Sequence, residues 1–315
     1  MLARLEALAA LQYQIVVRLD DLGRELVDHR ERLEDLDRRL RATQSMALRT
    51  YEQGQRWVER LASNRELPDY EMAYAPQPLI SVTIPTYNRA ETVCERALRS
   101  LQRQTYPHWE AIVVGDACTD DTEARIKALG DERIRFENLA VRGPYPDDPD
   151  EAILTYGNAP AKRALTVARG QWIAHLDDDD EWDDDHLEVL LAVAQETRAE
   201  LVYGKWRQRD SANGRLIARE FGEWPPRIEQ FAFQAAIYHR ALADLGQDPN
   251  VRFGGEPGDW NRVHRFWNAG VRFAFVDRAV TTIWFTPRTD VATKRFAWLT
   301  ETVGYVDEGN GPTTA

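Results

Sequence analysis

The stretch QWIAHLDDDDEWDDD, residues 171–185, joins a short apolar run to a dense block of acids. Eight of the nine residues from Asp177 to Asp185 are Asp or Glu. Carboxylates this close repel one another, so the fold must solvate them, pair them or hold a cation between them. The sequence leaves three readings open, which are a solvated acidic face, a metal site and the beginning of a helix.

The acidic block follows the last strand of a predicted strand–helix alternation. A buried strand is predicted at 79–85 and further strands at 109–115, 134–139 and 172–176, and Asn88 is predicted to cap the first helix. This alternation indicates an α/β fold with a doubly wound, mostly parallel sheet flanked by helices. Ligands of such sheets bind beyond the carboxyl ends of the strands. The loops PTYNR (85–89) and GDACTDD (115–121) are therefore expected to meet the acidic block.

The block itself divides into two groups. Asp183, Asp184 and Asp185 precede the apolar-periodic segment HLEVLLAVA, so we expect them to cap a helix there. No helix start explains Asp177 to Asp180, which follow the strand directly. Carboxylates crowded at a strand end either acquire raised pKa values or hold a divalent cation, for which oxygen ligands favour Mg²⁺ or Mn²⁺. A metal–diphosphate site is the direct physical interpretation of this group.

Composition excludes several classes of protein. The net charge of −12 argues against a nucleic-acid binder, which would carry a basic face. The two cysteines, Cys94 and Cys118, are too few for a disulfide framework. No segment approaches the roughly 18 uncharged apolar residues of a membrane-spanning helix. The predicted location is the cytoplasm, with peripheral membrane association left open.

The first 63 residues carry a heptad repeat. Nine of the twelve a and d positions from 5 to 43 are Leu or Ile, with charged residues between them. This pattern predicts an N-terminal coiled coil over 1–63 that joins copies of the chain into a homo-oligomer. The alternative is a helix that packs on its own globular part. Residues 64–77 are predicted to be a linker.

The chain after residue 200 changes character. Residues 201–220 are predicted to form two strands joined by a turn at Asn213-Gly214. A helix near 230–245, a Gly-rich segment at 254–259, a helix to Asn268 and apolar strands to about 285 are predicted to follow. The tail, 305–315, is predicted to be disordered.

Four motifs occur in a fixed order along the globular part. They are IPTYNR (84–89), DACTDDT (116–122), ARGQWIAHLDDDDEW (168–182) and GDWNRVHR (258–265). Together they resemble a family 2 glycosyltransferase with the GT-A fold, over about residues 78–270. The resemblance implies an inverting transfer of a sugar from a nucleotide-diphosphate donor to a hydroxyl acceptor, assisted by Mn²⁺ or Mg²⁺. It divides the domain into a nucleotide-sugar-binding half, 78–200, and an acceptor-binding half, 201–304.

The resemblance also implies roles for single residues on the donor side. The loop after the first strand would meet the nucleoside and the diphosphate, and Asp116 would bind the base. Asp178 would approach the ribose, and Asp179 would ligate the metal that bridges the phosphates. The donor-binding residues implied in this way are Thr86, Arg89, Asp116, Asp177 and Asp178. A diphosphate leaving group also needs cationic stabilisation, for which Lys162 is a further candidate beside Arg89.

On the acceptor side, the resemblance implies that Asp259 is the general base, with Glu256 as the reserve candidate and Arg265 on the same helix. Inverting chemistry needs one base near the acceptor hydroxyl, and a carboxylate at a helix start beside a Gly-rich loop meets that need. The chain departs from the family pattern at Gly258, where an acid is usual. It also has no histidine over 281–289 to serve as a further metal ligand.

Two rival functions remain at this point. A sugar nucleotidyltransferase would normally have a Gly-rich first loop, and PTYNRAET has no glycine. A carbohydrate- or nucleotide-sugar-binding scaffold would keep the fold without turnover. The expected partners are a UDP-sugar donor and a glycan or other hydroxyl acceptor. The sugar, the nucleotide base and the acceptor are left open.

Overall fold

The computed structural model describes residues 2–146, 155–228, 230–245 and 258–285. Its first element is a single helix, α1, from Leu2 to Arg65. Ion pairs one turn apart, such as Arg24 with Asp20 at 2.7 Å, line its surface and support the isolated helix. Most of its heptad leucines face solvent, as Leu26 does with 69% of its surface exposed. Within the described ranges, no helix is long and apolar enough to cross a membrane.

The last turns of α1 are part of the globular core. Trp57 and Leu61 are buried there, and Asn64 donates through Nδ2 to the carbonyl of Ala241 at 2.8 Å. Arg65 forms a bidentate pair with the buried Glu200, with both N–O distances at 2.7 Å. These contacts fix the direction in which α1 leaves the domain.

The segment predicted as a linker, 64–77, packs against the domain. It contains a 3₁₀ turn at Glu71–Tyr74, and Tyr70 and Ala73 are buried. The Tyr70 hydroxyl donates to Glu200 at 2.6 Å, and the Trp172 indole donates to the Ala73 carbonyl at 2.6 Å. Its polar composition suggested a linker, but these two aromatic anchors hold it in place.

The first half of the domain follows the predicted alternation. The strands are β1 (Ile80–Thr86), β2 (Trp109–Gly115), β3 (Ile134–Asn138) and β4 (Trp172–His175), all mutually parallel in the order β3-β2-β1-β4. The helices between them are α2, which runs through Ala90–Thr92, a π-helical stretch Val93–Leu98 and Arg99–Gln102, then α3 (Thr122–Ala128) and α4 (Asn158–Val167). Strands β1, β2 and β4 are largely apolar because central parallel strands are covered on both faces, whereas β3 lies at the sheet edge and is partly exposed.

Helix α2 begins differently from the prediction. Asn88 has a positive φ of 49° and does not cap the helix. Its side chain instead accepts from the backbone N–H of Thr119 at 2.8 Å. The backbone N–H of Ala90 donates to Asp120 Oδ2 at 3.2 Å. The cap therefore comes from the second loop, which ties the loops after β1 and β2 together.

The second half of the sheet is largely antiparallel. Its strands and helices are β5 (Glu181–Trp182), α5 (His186–Thr197), β6 (Leu201–Asp210), β7 (Leu216–Phe221), β8 (Ala236–His239), α6 (Gly258–Asn268) and β9 (Phe273–Phe285). The sheet continues in the order β4-β8-β6-β9-β5, with β7 on β6. Only β6 and β9 are parallel here, so the prediction of a mostly parallel sheet was wrong for this half.

Strand β8 stands where a helix was predicted near 230–245. The segment runs through a 3₁₀ turn, the strand and a second 3₁₀ turn. Its four strand residues are buried and pair with both β4 and β6. Two neighbouring strands thus satisfy its backbone, and this tertiary pairing outweighs the helical periodicity of the local sequence.

The sheet carries one apolar core on each face. One core joins Val82 and Val113 to α2 and α5, and the other joins Ile112 and Ile173 to α4, α6 and the end of α1. Alternate residues of β2 face opposite cores, as strand geometry requires. The carboxyl ends of β1, β2 and β4 consequently meet at one edge, where the polar loops lie.

Candidate functional site

The loops after β1, β2 and β4 meet at this edge as predicted. Thr86 donates through its hydroxyl to Asp178 Oδ2 at 2.8 Å. The backbone N–H of Asp116 donates to the carbonyl of Thr86 at 2.8 Å. These contacts join residues from three separate motifs, because parallel strands in register end side by side.

Arg89 lies between two carboxylates of the acidic block. Its Nη1 is 2.7 Å from Asp178 Oδ1 and 2.6 Å from Asp179 Oδ2. The resemblance implied a contact between Arg89 and the donor, and in this structure its guanidinium neutralises the acidic turn. Asp178 is buried, and burial, followed by repulsion from Asp179, raises its pKa to about 6 despite Arg89. One arginine therefore does not fully compensate the turn.

Two further acids of the turn have separate partners. Asp177 accepts from Gln234 and lies 3.0 Å through Oδ1 from His175 Nε2. Asp180 is buried and accepts from the backbone N–H of Trp284 at 2.8 Å. Burial and the charges of Asp179 and Asp177 hold the pKa of Asp180 well above its ordinary value. Asp180 thus fastens the turn to β9 and lies away from solvent.

A second cation supports the turn from α2. Arg96 donates to the backbone carbonyl of Asp179 at 3.1 Å. Its guanidinium stacks on the Trp284 ring, 4.1 Å from the ring centroid. Nothing in the sequence marked Arg96, because its partner on β9 is nearly 190 residues away along the chain. The turn is therefore fixed from two sides by arginines.

Each of the last three acids of the run, Asp183 to Asp185, forms an ion pair with a different arginine. Asp183 forms a bidentate pair with Arg207, and Asp184 pairs with Arg103 at 3.0 Å. Asp185 occupies the N-cap position of α5 but makes no side-chain capping hydrogen bond, and it pairs with Arg278 at 2.6 Å. The prediction that these three carboxylates cap the helix was therefore wrong in its contacts, although the helix does begin there.

Asp116 is buried and both its oxygens are engaged. Oδ1 accepts from the backbone N–H of Gly143 at 2.9 Å, and Oδ2 accepts from the Tyr145 hydroxyl at 2.5 Å. Arg142 lies 3.5 Å from Oδ2 and stacks over the Tyr87 ring at 3.8 Å. The residue predicted to bind the nucleotide base is thus held by the loop at 142–145, which the motifs did not indicate.

Asp259 lies in the first turn of α6 and is exposed to solvent. Its Oδ1 accepts from the backbone N–H of Trp260 at 2.7 Å. The protein around the carboxyl, followed by the negative charge of Asp177, holds its pKa above the ordinary value, and the Trp260 N–H and His175 oppose this only in part. Asp259 is therefore near enough to the acidic turn to sense its charge.

Two other predicted residues lie elsewhere. Arg265 is buried against α1, with its guanidinium 4.5 Å from the Trp57 ring centroid, so it belongs to the helix–helix contact. Lys162 lines a cavity of about 460 Å³ together with His175 and Arg262. Glu256 lies outside the described residues, as do 147–154, 286–289 and the tail at 305–315.

Comparison with known proteins agrees with this architecture. The sequence model of Glycosyl transferase family 2 matches residues 81–144 and 161–246. The putative colanic acid biosynthesis glycosyl transferase WcaA of Escherichia coli K12 is 35% identical over 38% of this chain and 39% of its own length. The UDP-Glc:alpha-D-GlcNAc-diphosphoundecaprenol beta-1,3-glucosyltransferase WfgD of Escherichia coli is 29% identical over 44% of this chain and 51% of its own length.

These matches are partial in length. The chain spans about two fifths to one half of the curated relatives just named. Among solved structures, S. aureus TarS 1-349 in complex with UDP-GlcNAc aligns with a TM-score of 0.52 and 21% identity. That alignment covers 68% of this chain and 60% of TarS 1-349. At this identity the likeness concerns the fold.

Proposed function

This chain belongs to glycosyl transferase family 2, and we propose that it transfers a sugar from a nucleoside-diphosphate donor to a hydroxyl acceptor with inversion at the anomeric carbon. The observation that carries the proposal is the shared edge of the sheet. Asp178 and Asp179 with Arg89 lie there, and Asp259 is close enough for Asp177 to raise its pKa. Direct attack of the acceptor hydroxyl on the anomeric carbon needs a donor site and a base close to each other, and the proposed donor site and base both lie at this edge.

In the proposed reaction, Asp259 accepts the proton of the acceptor hydroxyl. The hydroxyl oxygen then forms the new bond to the anomeric carbon, and the bond from that carbon to the diphosphate oxygen breaks on the opposite face. The electron pair leaves with the nucleoside diphosphate. Arg89, which pairs with Asp178 and Asp179, is the proposed cation that balances that charge when its guanidinium turns from the acids to the phosphates. The raised pKa of Asp259 makes it a stronger base than an ordinary aspartate.

The acidic turn fits a divalent cation in the way Mg²⁺ and Mn²⁺ are usually held, by one or two carboxylates and the phosphates of the substrate. Asp179 is the proposed ligand. Burial, followed by repulsion from Asp179, raises the pKa of Asp178, and a cation at the turn would relieve that repulsion. Within the described ranges, no three His, Cys, Asp or Glu side chains are grouped to hold a metal by themselves. When bound, the cation would neutralise the leaving diphosphate.

The proposed donor is a UDP-sugar and the proposed acceptor is a glycan. The UDP-Glc in the name of the relative WfgD supports the choice of uridine. Asp116 is the proposed contact for the base, which requires the base to replace Tyr145 or Gly143 on its carboxylate. Because this engagement of Asp116 must be undone before the base can bind there, a carbohydrate- or nucleotide-sugar-binding scaffold without turnover is the second candidate function.

The test is release of nucleoside diphosphate from candidate donors, including UDP-sugars, with Mn²⁺ and an acceptor mixture. We expect release to depend on Mn²⁺ and on the acceptor, and the product anomer, read by proton NMR, to be inverted. A scaffold would bind UDP without release. A retained anomeric configuration would contradict the single displacement.

We also propose that α1 joins copies of the chain through its heptad seam. Leu19, Leu26 and Leu33 expose 61%, 69% and 66% of their surface in the single chain. In sedimentation at micromolar concentration, we expect the parent to be oligomeric and the Leu26→Glu, Leu33→Glu double variant to be monomeric. Glu31→Gln, off the seam, is the control. A monomeric parent would contradict this proposal and leave the transfer reaction untouched.

A further inference from the structure

A cavity lies beside the acidic turn, between α4, the sheet and α6. Its volume is about 460 Å³. Thr83 and His175, which face each other across β1 and β4, form one wall. The other walls include Lys162 of α4, Tyr238 of β8 and Arg262 of α6. Such a recess with a few converging polar groups has the character of a ligand site.

Arg262 is the most unusual group in this cavity. Its Nη2 donates to the Tyr238 hydroxyl at 2.7 Å, and its Nε is buried without a hydrogen-bond partner. The guanidinium carbon lies 5.1, 4.8 and 5.6 Å from the ring centroids of Phe233, Tyr238 and Phe266. Aromatic faces offset part of the cost of desolvating a cation, but they do not replace an anion.

The charge of the cavity is unbalanced. Lys162 and Arg262 are both in its walls, and the carboxylate there, Asp244, already pairs with Arg60 at 2.7 Å. In the part of the chain that the structure describes, no ion pair joins Arg262 to a carboxylate. A positive recess is notable in a chain whose net charge is −12. The positive charge of Lys162 and Arg262 therefore favours an anionic ligand in this cavity.

The cavity is also next to the proposed base. Arg262 follows Asp259 by three residues on α6, so the two side chains leave the same face of the helix about one turn apart. His175, in the cavity wall, contacts Asp177 of the acidic turn, and the charges of both residues reach Asp259. A ligand in the cavity would therefore be held beside the attacking hydroxyl.

We propose that this cavity binds a phosphate group of the acceptor, with Arg262 as the main contact and Lys162 as the second. A guanidinium presents paired N–H donors that match phosphate oxygens, and the nearby ammonium adds a second charge. The donor diphosphate has its own proposed cation in Arg89 at the acidic turn. The claim that the cavity binds phosphate rests on the cavity alone. The claim that this phosphate belongs to the acceptor rests on the proposed function.

The binding test uses inorganic phosphate as the probe. Phosphate is titrated by calorimetry into the full chain in the presence of EDTA, so that no cation at the acidic turn contributes. We expect saturable binding that weakens at least about tenfold in Arg262→Gln, and less in Arg262→Lys, which keeps the charge. Arg163→Gln, on the outer surface of α4 with Glu137 as its partner, should bind like the parent. Equal binding by the parent and folded Arg262→Gln, or none by the parent, overturns the proposal.

A second measurement assigns the phosphate to the acceptor. Transfer by Arg262→Gln should show a raised KM for the acceptor and a much smaller change in the KM for the donor. If the KM for the donor rises as much as the KM for the acceptor, the cavity serves the donor diphosphate and the assignment to the acceptor is wrong. If the parent turns over no donor, the proposed function is wrong. The phosphate titration still shows whether the cavity binds phosphate. Circular-dichroism melting of each variant controls for folding.

Discussion

Two halves of one acidic run behave differently in this protein. Asp183, Asp184 and Asp185 each pair with an arginine of their own, which are Arg207 of β6, Arg103 just after α2 and Arg278 of β9. Within residues 177–180, Asp178 and Asp179 share the guanidinium of Arg89, and burial, followed by repulsion between carboxylates, raises the pKa values of Asp178 and Asp180. Both halves consist mainly of Asp residues, so the difference between them comes from the number of arginines that pair with each half. The first half retains negative charge that a ligand can use, and the second half does not.

The largest expected effect concerns the base that faces the first half. Asp259→Asn keeps the size of the side chain and removes the proton acceptor. We expect the turnover number to fall by about 10²–10⁴-fold, the usual contribution of a general base. UDP binding should be unchanged, because Asp259 is not a proposed donor ligand.

The matched control for Asp259→Asn is Asp185→Asn, also at the beginning of a helix, which should turn over within about twofold of the parent. Turnover of Asp259→Asn at the parental rate would remove the assignment of the base. Because the carboxylate is the active form and its pKa is raised, the activity of the parent should also be lost on acidification at a higher pH than an ordinary aspartate would give.

A smaller effect should appear in stability at Asp178. Its pKa is about 6 in the folded protein and about 3.9 when unfolded. The folded state therefore binds more protons between these values, and the free energy of unfolding falls as pH rises from about 4 to about 6. Asp178→Asn removes this penalty and should stabilise the protein at pH 8 by on the order of 2 kcal/mol, with little gain at pH 4.

Denaturant unfolding of Asp178→Asn at both pH values checks this prediction. Asp184→Asn, an exposed and paired acid of the second half, should change stability by less than about 1 kcal/mol at either pH. If Asp178→Asn is destabilised at pH 8, the two halves do not differ in the way described.

The smallest expected effect concerns Tyr145, which was not visible in the sequence. Tyr145→Phe removes the hydroxyl that donates to Asp116. We expect UDP to bind about two- to fivefold more tightly, because the Tyr145 hydroxyl no longer competes with the base for that oxygen of Asp116. Tyr156→Phe, whose ring stacks edge-on against Tyr145 at 5.0 Å, is the control. Weaker binding in Tyr145→Phe would mean that Tyr145 helps to hold the nucleotide.

The same contrast explains what the sequence could predict. Strands β1, β2 and β4 were predictable because buried parallel strands are largely apolar runs, and their shared edge then located Thr86, Asp116 and Asp178. Strand β8 was not, since its pairing with β4 and β6 depends on residues far away along the chain. The arginines that pair with the second half of the run come from three other parts of the chain. Counter-charge is a tertiary property, so the division between site and structural acids became clear only in the fold.

The central claim is that the first half of the acidic run is the donor site and the second half is structural. Calorimetric titration of UDP with and without Mn²⁺ tests it on Asp179→Ala and Asp184→Ala in parallel. We predict that the parent and Asp184→Ala bind UDP more tightly with Mn²⁺, and that Asp179→Ala loses this Mn²⁺ dependence. Mn²⁺-dependent binding that survives in Asp179→Ala, or that is lost equally in both variants, would contradict the account.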